Sequence, residues 1–335
     1  MRLVLAVLLL TAGSSAPASW ARRGGAEITN GTGQVSVFVG ALDKEGRAVE
    51  GLRPEDLRVT VEGEEQKVLS LSQRADEPLH VVILLDASAS QETVLPFAQE
   101  AADRLVPALL MRGSNDAAVV GFTGDVNVVQ KLTADAAAVR RAIASVEFVP
   151  PPGYVGGGIV LGRADPKDPA WRAGSTAMWD SLVAVCDRVF APAKGGRRAV
   201  VLVTDGVDTS SSIKSDKAVE RLLREGVAVY GVGLGDEKSF DGVDKQTVRK
   251  VSERTGGRAL FPKKNRDLPV AFERIRRELL SSYALTFAAP ATLRGGKPLK
   301  LRVELVNPEL RRQGVQLAHP QSFFNNPAAA PAGRQ

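Results

Sequence analysis

Hydrophobic positions change their period twice along the chain. In residues 34–73 they alternate with polar ones, through QVSVFVGAL, LRVTVEG and QKVLSLS, with the turn-rich DKEGR and EGEE between them. Alternation sends successive side chains to opposite faces of a strand, so this region is predicted to form a small antiparallel sheet. From Leu79 onward, unbroken apolar runs are followed by segments of helical period. LHVVILL leads into a helix whose apolar face is expected to carry Val94, Phe97, Ala101, Leu105 and Leu109. Further strands are predicted at DAAVVGF, VNVVQKL, RRAVVLVT, GVAVYGVG and RALF. Helices are predicted over DAAAVRRAIASV, TAMWDSLVAVCDRVF, KAVERLLR, DKQTVRKVSER and DLPVAFERIRRELLSS. After Ser282 the helical period is lost, and YALTFAA and LKLRVELV read again as strands.

Apolar runs bounded by helices indicate strands buried on both faces. The fold class expected for residues 77–281 is therefore α/β, a doubly wound, mostly parallel sheet with helices on both faces. VNVVQKL follows its predecessor so closely that it must turn back as an antiparallel edge. The strands of 27–76 and of 282–320 are each too few for a robust sheet. Domain termini commonly lie close together, so the two groups are expected to form one small flanking β-sandwich-like domain with the α/β domain inserted into it. Residues 321–335, which include NNPAAAPAGRQ, are expected to be a disordered tail.

Composition adds a location and removes some chemistries. MRLVLAVLLLTAGSSAPA has an early arginine, a short apolar run and an Ala16-x-Ala18 cleavage pattern, so residues 1–18 read as a signal peptide of an exported protein, periplasmic or secreted. The run is well short of the roughly 20 residues that cross a bilayer, and no later segment is longer, so no transmembrane segment is expected after signal removal. Cys186 is the single cysteine; no internal disulfide can form, and a thiol in a helical pattern is expected to be buried and inert. The net charge of +6 is spread over short basic runs alternating with acids, and aromatic residues make up only 5%, which argues against nucleic acid as a partner. NGT at 30–32 is a sequon that matters only in a host that glycosylates.

Candidate chemistry gathers at strand ends. In an open α/β sheet, ligands sit beyond the carboxyl ends of the strands, where strand order reverses. Asp86, Ser88 and Ser90 follow one predicted strand in DASAS, and Asp205 follows another in VLVTDGVDTSS. Thr176 lies in the GST that begins a helix. Two carboxylates and three hydroxyls make an all-oxygen donor set, which suits a hard cation such as Mg²⁺ or Mn²⁺ better than zinc or copper. Singly, Asp86, Ser88 and Ser90 would read as a helix cap. Asp180 reads as a helix-surface or capping residue and Asp208 as a turn residue. GVGLGDE lacks the third glycine of a dinucleotide-binding loop.

These three parts, in this order, resemble the metal ion-dependent adhesion site of a von Willebrand factor type A domain. The resemblance covers about residues 77–281, and GSTAMWDSL and VVLVTDGVDTS are similar to the family's loops. It implies that Ser88, Ser90 and Thr176 offer hydroxyl oxygens to the metal and that Asp86 and Asp205 bind it directly or through water. With its flanking strands, the chain resembles a bacterial, exported von Willebrand factor type A-related family. It departs from the family in the long Gly- and Pro-rich insertion over 150–173, directly before Thr176.

The function implied is a metal-dependent protein-binding module of adhesion type, in which an Asp or Glu carboxylate of a protein partner completes the coordination of the cation. The alternative is a metal-dependent hydrolase using the same cation. Hydrolysis needs a base or second metal, and neither His80, at the start of a strand, nor His319, near the chain end, is placed by sequence beside the cluster. No G-x-S-x-G elbow is present. A binding protein rather than an enzyme is expected.

Overall fold

The computed structural model describes residues 27–29, 34–73, 77–157, 159–162, 169–234, 242–288 and 296–324. The expected signal peptide, the sequon and residues 325–335 lie outside the described residues.

All eight residues of the strand Leu79–Asp86 are buried. It pairs in parallel with Asp116–Phe122 on one side and Arg197–Thr204 on the other. Beyond Arg197–Thr204 come Val227–Gly233 and then Ala259–Leu260, both parallel. Val126–Thr133 closes the opposite edge antiparallel, and its half-exposed positions explain why it alone among these strands is not a continuous apolar run.

Alternate side chains of the central strand supply two separate cores. Val81, Ile83 and Leu85 pack with the helices Leu95–Leu110, Ala136–Ala144 and Leu268–Leu280. Val82 and Leu84 pack with Met178–Ala184 and Ser215–Glu225 on the other face. The sheet is thus mixed, mostly parallel and covered by helices on both faces. The helix from Met178 continues as a π-helical stretch over Val185–Phe190, where Cys186 is fully buried; burial pushes its thiol up to about 12, beyond use as a nucleophile. Phe97 departs from the expected face and is 44% exposed. The buried stripe runs through Ala98, Ala102, Leu105 and Leu109, and Phe97 stands about 100° around the helix from Ala98.

Antiparallel sheets form the flanking domain. Tyr283–Ala288 lies between Gln34–Leu42 and Val68–Gln73, with Tyr283 opposite both Val39 and Gln73. Pro298–Leu305 pairs with Leu57–Val61. Strands from both ends of the chain are therefore paired within each sheet. The two sheets enclose Val35, Val37, Val59, Val61, Leu285, Phe287, Val303 and Phe323, with Phe287 and Phe323 meeting edge-to-face at 5.9 Å.

The expected tail from residue 321 needs correction. Ser322–Phe324 is a strand paired with Pro298–Leu305. Phe323 enters the core of the flanking domain, and Phe324 packs among the helices of the α/β domain under the Arg224 guanidinium, 3.8 Å from its ring. Two adjacent aromatic residues on alternating faces thus stitch the two domains together.

Phe287 is fully buried, stands opposite Val35 and Val68 of the N-terminal flank, and meets Phe323 near the C-terminus. Phe287→Ala is expected to destabilise by about 3–5 kcal/mol. Limited proteolysis of the variant is expected to cut within 34–73, distant in sequence from the substitution; an unchanged cleavage pattern would argue against a shared core.

Candidate metal site

The chain leaves Leu79–Asp86 for Asp116–Phe122 on one side and later places Arg197–Thr204 on the other, so strand order reverses between Leu79–Asp86 and Arg197–Thr204. The loops after these two strands diverge there and leave a crevice at the sheet rim. Asp86 ends one strand and Asp205 follows the other.

Each carboxylate is held by donors of neighbouring residues. Asp86 Oδ1 accepts the Ser88 N–H at 3.0 Å, and Oδ2 accepts the Thr204 hydroxyl at 2.6 Å. Asp205 Oδ1 accepts the Val207 N–H at 3.0 Å; Oδ2 accepts from the Ser90 hydroxyl at 2.5 Å and from Gln91 Nε2 at 3.0 Å. Ser88 Oγ and Ser90 Oγ are 3.3 Å apart. Gly206 turns the chain away with φ of 84°, and a Cβ there would sit 2.7 Å from Val248.

Thr176 arrives on a loop anchored to both others. The Gly174 carbonyl accepts the Ala89 N–H at 3.3 Å, and the Thr176 carbonyl accepts from the N–H groups of Thr209 and Ser210. The Thr176 N–H donates to Thr209 Oγ1 at 2.8 Å. Asp208 and Ser211 cap the helix that follows, both accepting the Trp179 N–H. Asp180 accepts the N–H groups of Ser212 and Ile213. Both aspartates thus tie the loop after Asp205 to the helix Met178–Ala184.

The insertion also leans on the site. Tyr154, in the hairpin of Tyr154–Gly156 and Ile159–Val160, directs its hydroxyl to the Ala89 carbonyl at 3.4 Å and to the Glu92 carboxylate. Pro151 packs where a Cβ on Gly174 would stand, 2.4 Å away.

Thr204 and Gln91 escaped the reading of the sequence. A threonine ending an otherwise apolar run was the available signal for Thr204, whereas Gln91 offered none, because its side chain reaches Asp205 across 114 positions of chain.

Asp86, Ser88, Thr176 and Asp205 are all at most 4% exposed. Burial, and then the charge of Asp205, push the Asp86 carboxyl up to about 7. A cation between the two would relieve both causes. The donors are carboxylate and hydroxyl oxygens, with no imidazole among them: His80 bonds Asp116 at the opposite end of its strand, and His319 meets Val303 in the flanking domain. Such a set fits a hard divalent cation.

Residues 169–274 match the model of the von Willebrand factor type A domain family. Together with the strand order and the helical layers, this gives the α/β domain a von Willebrand factor type A fold. No curated protein matches the sequence. Among solved structures, a von Willebrand factor type A protein from Catenulispora acidiphila is 16% identical, with a TM-score of 0.47, over 89% of this chain and 75% of its own. An aerotolerance-related membrane protein from Bacteroides fragilis is 19% identical, with a TM-score of 0.42, over 60% of this chain and 98% of its own. Proximal thread matrix protein 1 of the mussel byssus, with a zinc-occupied MIDAS motif, is 17% identical, with a TM-score of 0.44, over 61% of this chain and 48% of its own. No helix among the described residues is long and apolar enough to cross a membrane.

A carboxyl group whose folded pKa exceeds its unfolded value binds more protons in the folded state, so its contribution to stability is lost as pH rises between the two values. For Asp86 that window runs from about 4 to about 7. In metal-free buffer, the chain is expected to lose stability relative to Asp86→Asn across this window, by an amount on the order of 4 kcal/mol. Urea melts of both proteins from pH 4 to pH 7 measure the difference, and parallel curves would contradict it.

Proposed function

We propose that the chain is an exported, periplasmic or secreted, metal-dependent protein-binding module. Mg²⁺, or Mn²⁺, would be held by Asp86, Ser88, Ser90, Thr176 and Asp205, forming an intact metal ion-dependent adhesion site, and would supply an open position for a partner's Asp or Glu carboxylate. The observation that carries this reading is the buried pair Asp86 and Asp205 at the switch point, each oriented by hydrogen bonds from neighbouring donors. Residues 77–281 would form the binding domain, inserted between the two parts of the flanking domain, 27–76 and 282–320.

This chain's residues would do three things. Thr204 and the Ser88 N–H aim the Asp86 carboxylate, while Gln91 and Val207 aim that of Asp205. The sheet beneath excludes water from one side, which strengthens charge interactions at the rim. The tethered loops of Thr176 and Tyr154 shape the approach of a partner. A binding role is favoured over hydrolysis because both histidines lie away from this rim, one at the far end of the sheet and one in the flanking domain.

Calorimetric titration with Mg²⁺ is expected to show one site in the wild type and none in Asp86→Ala, while circular dichroism shows both folded. Undiminished binding in the variant would overturn the assignment. Gln91→Ala, which removes a support of Asp205 rather than a ligand, is expected to weaken Mg²⁺ binding by about 10–100-fold. Thr176→Ala is expected to weaken capture of partners from the organism's envelope fraction in Mg²⁺ far more than it lowers the melting temperature; equal losses would indicate a structural cap instead.

A further inference from the structure

A second site lies away from the metal rim, where the two domains meet. A cleft of about 1030 Å³ opens there, with Arg254, Arg258 and Arg274 on the type A domain facing Lys300 and Arg302 on the flanking domain. Three of the five are engaged: Arg254 with Asp216, Arg302 with Glu304 and Arg258 with the buried Glu278. Arg274 and Lys300 form no ion pair among the described residues, and Glu278 and Asp43 act on Arg274 only from a longer distance. Arg258 Nη1 and Arg274 Nη2 both donate to the single amide oxygen of Gln316, at 3.2 and 3.5 Å, which holds two guanidinium groups side by side.

The cleft is net basic: five cations line it against Glu253, Glu304 and the adjoining Glu278, whose Oε1 also lacks a partner among the described residues. Arg258 Nη2 and Arg274 Nε are buried without a hydrogen-bond partner among the described residues. The second carboxylate oxygen of Glu278 is turned toward Gly40, where an added Cβ would stand 2.5 Å from it. Burial and the neighbouring charge of Arg258 lower the pKa of Arg274, and the opposing charges of Glu278 and Asp43 do not offset them. Paired guanidinium groups match the spacing of phosphate or carboxylate oxygens, and the cleft has the dimensions of a small-molecule site, at the upper end of roughly 300–1,000 Å³.

We propose that this cleft binds a small multivalent anion, carrying phosphate or carboxylate groups, that bridges the two domains through Arg258 and Arg274 on one wall and Lys300 on the other. The site is independent of the metal rim. Two charged walls from different domains require a ligand with at least two anionic groups, so a monovalent anion would bind weakly.

The test is calorimetric titration of the full chain, in buffer free of divalent cations, with tripolyphosphate in one arm and citrate in the other. Saturable binding of one equivalent is expected in at least one arm, and the preferred arm distinguishes phosphate from carboxylate. Arg274→Gln and Lys300→Gln, neither of which breaks a described ion pair, are each expected to weaken that binding about tenfold. Lys217→Gln, on a helix outside the cleft, is expected to leave it unchanged. Absence of saturation by both anions in the wild type would overturn the proposal. So would binding that Arg274→Gln and Lys300→Gln leave intact.

Discussion

The hydrogen bond from the Thr204 hydroxyl to Asp86, 2.6 Å long, joins the two strands between which the sheet reverses its order. A carboxylate buried at such a point is costly unless it is hydrogen-bonded and charge-compensated. Everything around it answers that constraint. Strands buried on both faces present their ends at one rim, backbone N–H groups of the following turns point back at the carboxylates, and Gln91 reaches in from the next turn. The residual frustration appears as the raised pKa of Asp86, which a cation at the rim would relieve.

The helix Leu268–Leu280 links this domain to the flanking sheets. Its buried face packs under the central sheet, and its last turn runs into Tyr283–Ala288 with only Ser281 and Ser282 between. Glu278 lies 1% exposed beside Gly40 of the flanking sheet and is paired with Arg258. Arg197 donates to the Leu279 carbonyl at 2.6 Å while its guanidinium lies 5.6 Å over Phe38. These charged contacts and the Phe323–Phe324 pair fix how the domains meet, and the basic cleft is a by-product of the same junction.

Period and spacing along the chain determined much by themselves. Unbroken runs such as LHVVILL and RRAVVLVT can bury both faces only inside a helix-covered parallel sheet, and a short connection can return VNVVQKL only as an antiparallel edge. Residue type then limited the chemistry at the strand ends, because Asp, Ser and Thr offer oxygen donors alone. Tertiary structure decided what local pattern does not encode. It brought Asp86 and Asp205 to one crevice, turned Gln91 and Thr204 onto them, rotated Phe97 out of the core, and drew Ser322–Phe324 from an expected tail into a sheet. The basic cleft combines Arg258 and Arg274 of one domain with Lys300 of the other. The physical reason is common to all of these: a period reports which face of an element is buried, whereas a side chain's partner depends on how elements pack across long stretches of chain.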